Sequence, residues 1–197
     1  MKNIQHSILK SVLLILISGV TFCSCKKDSV NVTNPVNPNE TELITTVKFI
    51  IAPTSNPLAK VYVSYRDLDG DGGNAPTIDT IRLGANTEYN VQVLVLDETK
   101  NPIDTTSKKI EVEKNIHQFF YSKIGTYNLT VTYLDFDDHN VPVGLNIKLN
   151  TTSGLTEKSN RFKIVLKHQP GLKPTSGAGD ETLGETDIEV NFPILIQ

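Results

Sequence analysis

The chain has 197 residues with 19 basic and 22 acidic side chains, a formal net charge of −3, two cysteines and no tryptophan. The acidic balance argues against a nucleic-acid partner, since that recognition rests on clustered Lys and Arg. Two cysteines are too few for a disulfide scaffold or a cysteine-rich metal site, so stability has to come from a hydrophobic core.

Residues 1–24 have the layout of a signal peptide: a start carrying Lys2 and Lys10, then the apolar run SVLLILISGVTF. A transmembrane helix needs about 20 consecutive apolar residues, and this run is interrupted by Ser18 and Gly19 before stopping at Cys23. Phe22-Cys23-Ser24-Cys25 resembles a lipobox, in which a small residue precedes the cysteine that is lipidated and becomes the new N-terminus. Ser24 meets that requirement for Cys25, whereas cleavage before Cys23 would leave bulky Phe22 in the position of the small residue. Losing Lys2 and Lys10 leaves 17 basic residues against 22 acidic, a formal charge of −5. Acylation consumes the remaining thiol, so neither a disulfide nor a cysteine metal ligand is expected.

Residues 25–44 hold the lipidated cysteine and the stretch SVNVTNPVNPNET, whose Asn and Pro content without apolar periodicity describes a disordered tether. A coil of about 20 residues reaches about 25 Å, enough to clear lipid headgroups.

From Leu43 onward, short runs rich in Val, Ile, Thr, Tyr and Phe alternate with clusters of Gly, Pro, Asn and Asp. Ten strands are expected, over 46–51, 61–65, 77–83, 89–96, 109–112, 117–121, 128–134, 145–149, 162–167 and 187–192, making the fold all-β. VYVSYRDLDGDGGNAP aligns with LTVTYLDFDDHNVP, and Ile81-Arg82-Leu83 then falls on Ile147-Lys148-Leu149. With changes in loop length, VQVLVL meets FKIVLK and KIEVE meets DIEVN. A collinear match of this kind points to an internal duplication. The domain expectation is therefore two tandem five-stranded immunoglobulin-like β-sandwich repeats, 45–115 and 116–197, packed together; one larger shared sandwich is the alternative.

Two sets of candidate ligands stand out. Asp67, Asp69 and Asp71, in D-x-D-x-D-G with Gly72, match the first half of an EF-hand calcium loop. Its twelfth position is Ile78 rather than Glu, and Asp, Gly and Asn are equally the residues of a tight turn. In the second half the position aligned with Asp71 is His139, a change that favours zinc, copper or nickel over calcium. In an up-and-down succession of strands, His117, His139 and His168 fall at one end of the second half, where a transition metal is the candidate cofactor. Asp180 and Glu181, in the loop 169–184 that is the longest irregular segment after the tether, and Glu185 just beyond it could add oxygen ligands.

The chain has no H-E-x-x-H, no G-x-S-x-G and no cysteine nucleophile, so a non-enzymatic role is expected. RDLDGDGGNAPTIDTI, HQFFY, HNVPVGL and KHQPGLKP...GETDIEV resemble a group of small envelope lipoproteins of the Bacteroidota, sometimes labelled with a type 1 periplasmic-binding-fold name. That label implies an α/β fold, whereas the strand pattern supports all-β. The resemblance implies an outer-membrane setting in which such lipoproteins accompany TonB-dependent transporters. The expected function is thus a lipid-anchored binding accessory for uptake of a metal or other small nutrient; the alternative is a protein-interaction module of the envelope with no small ligand.

Overall fold

The computed structural model describes residues 43–70, 72–154 and 157–197, all within one compact unit, Val36–Gln197. The expected signal peptide, Cys25 and residues 25–42 of the expected tether lie outside the described residues, whereas Ile44, at the end of that expected tether, packs against the core.

The elements in chain order are β1 (Thr46–Pro53), β2 (Val61–Arg66), β3 (Thr77–Ile78), β4 (Ile81–Leu83), β5 (Glu88–Leu96), α1 (Thr106–Val112), β6 (His117–Ile124), β7 (Leu129–Tyr133), β8 (Asn146–Thr151), β9 (Arg161–His168) and β10 (Glu185–Ile196). They form two sheets, a six-stranded one ordered β3-β2-β1-β5-β8-β7 and a four-stranded one ordered β4-β10-β9-β6. Every neighbouring pair is antiparallel except β4 and β10. The architecture is mostly β, as the alternation predicts.

Alternation also decides which side chains meet between the sheets. In β1 and β5, Val47, Phe49 and Ile51 point inward with Val91, Val93 and Val95, while in β9 and β10, Phe162 and Ile164 oppose Val190, Phe192 and Ile194. Phe49 lies 5.0 Å from Phe192 and 6.2 Å from Phe162, between ring centroids. Tilted aromatic contacts of this kind add to the burial of the rings themselves.

The boundary at 115/116 does not divide two sandwiches. The larger sheet takes β1, β2, β3 and β5 from the first half and β7 and β8 from the second; the smaller takes β4 from the first and β6, β9 and β10 from the second. A single core, running from Val47 to Ile196, serves both halves. It lies wholly in the compact unit, so a chain cut to residues 36–197 keeps every residue of this core.

Two predicted strands differ, each for a local reason. The run 77–83 divides at Asp79, whose carboxylate accepts hydrogen bonds from the Ser64 amide and hydroxyl, both at 2.9 Å. Ile78 therefore stays exposed on the larger sheet while Ile81 is fully buried beside β10. The run 109–112 is helical: Ile110 is buried and Val112 is 84% exposed, so the I-E-V-E alternation does not mark one buried face. KIEVE thus belongs to a helix where its aligned partner DIEVN belongs to β10, and the aligned pair β4 and β8 lie in different sheets.

Candidate functional site

At one end of the smaller sheet, β6 and β9 set His117 directly opposite His168. The rings stack with centroids 4.7 Å apart and 14° between planes, and both residues are buried. His117 Nδ1 lies 3.2 Å from the Glu113 carbonyl, and Nε2 lies 3.8 Å from Asp187 Oδ2. Burial depresses the His117 pKa to about 4, so this imidazole is neutral near pH 7. Parallel stacked rings send their in-plane lone pairs side by side rather than toward one ion.

The third histidine stands apart. His139 is exposed on the loop after β7, and its amide donates to Asp137 Oδ1 at 2.9 Å. Among the described residues, no group of three or more His, Cys, Asp or Glu side chains is placed to hold a metal ion. His117 and His168 are thus brought together, but His139 does not complete a set with them.

What joins these loops is a side chain the sequence pattern did not mark. Lys173 reaches inward from the loop 169–184, and its Nζ sits 3.0 Å from Asp137 Oδ2, 2.7 Å from the Lys114 carbonyl and 2.9 Å from the His117 carbonyl. Both charged side chains are almost fully buried. Burial pushes the Asp137 carboxyl up, but hydrogen bonds from the Val141 amide and Lys173 outweigh it and hold the group below its usual range. Two buried glutamines complete the fastening: Gln169 Nε2 donates to the Asp180 and Leu183 carbonyls, and Gln118 Nε2 to that of Ala178. The loop 169–184 is therefore tied to the body. Its acids have internal partners too, Asp180 with Thr182 and Glu181 with Lys163.

The aspartate loop after β2 also satisfies itself. Asp67 Oδ1 accepts from the Gly70 amide at 2.9 Å, and Asp69 Oδ2 accepts from the Asn74 amide at 2.9 Å and its side chain at 2.7 Å. These are turn-closing bonds. Asp71 lies outside the described residues, so the structure does not place the third proposed calcium ligand.

Two concave surfaces lie elsewhere, on the outer face of the larger sheet. Strand register aligns Tyr62 with Ile50, Ile50 with Gln92, and Gln92 with Asn146, and the Leu134 amide bonds to the Asn146 carbonyl at 2.9 Å. These residues form one row from β2 to the end of β7. A depression of about 240 Å³ lies along it beside Lys60 and Asn90. A larger cleft of about 550 Å³ opens where α1 leans over β5, lined by Leu94, Lys108, Glu111 and Phe136. Gln92 and Asn146 border both hollows. Leu134 is 47% exposed and Phe136 42%, so large apolar groups rim a floor of side-chain amides, and Tyr62, 61% exposed, stands at the β2 end of the row.

Asp135 helps to build this cleft: its two carboxylate oxygens accept from the Gly144 and Leu145 amides, each at 2.9 Å, and so fix the chain that follows. Lys114 at the cleft edge pairs with Asp138. Outward polar positions in β5 and β8 are readable from strand alternation. That Phe136 and α1 join them is not, because it depends on how the loop 135–145 folds back. No protein-family model, no curated protein and no solved structure matches this chain.

Proposed function

We propose that this chain is a non-enzymatic protein-interaction module of the cell envelope, held at the outer membrane by lipid on Cys25. Its partner is an envelope protein, with a TonB-dependent transporter the leading class, and it docks on the open face of the larger sheet. The observation that carries this reading is the row Tyr62, Ile50, Gln92, Asn146 and Leu134, which ends in the cleft beneath α1. An amide-rich floor with exposed aromatic and aliphatic rims resembles the mixture found in protein interfaces. Other conspicuous polar groups are engaged internally: the aspartate loop closes a turn, the Lys173 ion pair fastens a loop, and the stacked histidines are buried.

A metal-accessory role loses the geometry that motivated it, since His139 stands apart from the stacked pair. A small-nutrient role retains one supporting feature, the larger cleft, whose volume falls within the range of small-molecule sites. Its open rim and mixture of charges fit a macromolecular surface better. The test is to replace Tyr62, Leu134 and Phe136 together with Ser and measure capture of the native partner from detergent-solubilised envelopes. Loss of one defined partner with an unchanged melting temperature supports docking on this face. Retention of that partner at full strength rejects it.

A further inference from the structure

The four sheet edges are not equally protected. β3 has two residues and β4 three, too short to template another chain. β6 is longer, but its outward groups are taken at its start: the His117 carbonyl by Lys173, the Phe119 carbonyl by the Tyr133 hydroxyl, and the Phe119 amide by the Val143 carbonyl. β7 is different. The bonds Leu134 N to Asn146 O and Thr152 N to Asn128 O show that its even-numbered positions carry the ladder to β8. Amides and carbonyls of Leu129, Val131 and Tyr133 therefore face away from the sheet.

We propose that two copies of this chain pair antiparallel through β7 about a two-fold axis at Val131, joining their six-stranded sheets into one. The strand itself supplies the argument for a second copy. Leu129-Thr130-Val131-Thr132-Tyr133 is almost palindromic in character, so the two-fold sets Val131 against Val131, Thr130 against Thr132 and Leu129 against Tyr133. These are matched pairs: β-branched groups meet like groups, and an aliphatic meets an aromatic. Residues 124–134 carry no charge, so no like charges oppose along the seam. The common edge defences, a lysine, a proline or a bulge, are absent from β7. Exposed Leu134 follows the strand directly, and the two-fold sets it opposite uncharged Asn128 of the other copy.

The pairing forms about six hydrogen bonds between copies, two for each of three pairs. Thr130 and Thr132 fall in the non-hydrogen-bonded pairs, where side chains on opposite strands are closest. Both threonines lie on the outer face, so the joined sheets present two docking faces as one surface. The dimer does not depend on what docks there.

The test is sedimentation of residues 36–197 across micromolar concentrations, for wild type and two double variants. T130K/T132K sets like charges across the axis and is expected to weaken association tenfold or more, with the monomer's circular dichroism unchanged. T130E/T132K sets opposite charges across the same axis and is expected to keep the dimer. Wild type that stays monomeric throughout overturns the proposal, as does a dimer that T130K/T132K leaves undiminished. Should that variant misfold, hydrogen exchange of wild type decides. Protection of the Leu129, Val131 and Tyr133 amides that rises with concentration supports the seam, and protection independent of concentration overturns it.

Discussion

His117 and His168 occupy opposed positions on β6 and β9, and their rings stack 4.7 Å apart beneath the loop that Lys173 fastens. Burial dominates the His117 environment, assisted by the charges of His168, Lys109 and Lys173; the carboxylates of Glu113 and Asp187, each 3.8 Å from a ring nitrogen, do not overcome it. The depressed folded-state pKa fixes the sign of a pH effect. Below pH ~6.5 the unfolded chain protonates this imidazole while the fold keeps it neutral down to about 4. Its contribution to stability is complete above pH ~6.5 and declines as pH falls toward 4, by at most about 3 kcal/mol. Urea unfolding of wild type and His117→Phe at pH 7.5 and pH 5 measures it, and the variant is expected to show the shallower pH dependence.

Lys173 and Asp137 make the second prediction. Removing one member of a buried pair strands the other, which costs about 3 kcal/mol. Lys173→Met is expected to lower stability by about that amount and to expose the loop 169–184 to proteolysis. Adding Asp137→Asn to Lys173→Met is expected to cost less than the sum of the two single changes, which a double-mutant cycle by chemical denaturation reads directly.

The shared core yields a third. Phe49 comes from the first half of the chain, and Phe162 and Phe192 from the second. Expressed separately, residues 36–115 and 116–197 are expected to lack dispersed amide resonances, and mixing them is expected to restore some. A folded half on its own would show that the halves are independent domains. Phe192→Ala in the whole unit is expected to cost about 3–5 kcal/mol.

A fourth concerns ions. A metal that binds the fold raises its melting temperature through linkage. With the Asp67 and Asp69 carboxylates closing a turn and His139 apart from the stacked pair, zinc, copper, nickel and calcium are each expected to leave the melting temperature of residues 36–197 unchanged. Stoichiometric stabilisation that His168→Ala removes would restore the metal reading.

Much of the sandwich was legible because strands buried on one face write their burial into every second residue, as in V-x-F-x-I of β1 and V-x-V-x-V of β5. Sheet membership was not legible. Where Asp79 turns the chain from one sheet to the other, the pattern T-I-D-T-I-R-L continues without a visible break. α1 was hidden because two apolar residues two apart imitate a strand when only one is buried. Of the three histidines, register fixes His117 against His168, but nothing in strand parity positions a loop residue such as His139. Lys173 gave no signal at all, since a lysine in a Gly- and Pro-rich loop is ordinarily solvated.

Docking on the larger sheet is tested most directly by site-specific photo-crosslinking in cells, with the probe at Gln92, at Phe136, or at exposed Asn191 on the smaller sheet. One defined envelope-protein adduct is expected from Gln92 and Phe136, and none from Asn191. Equal adducts from all three positions, or from Asn191 alone, would contradict docking on the larger sheet.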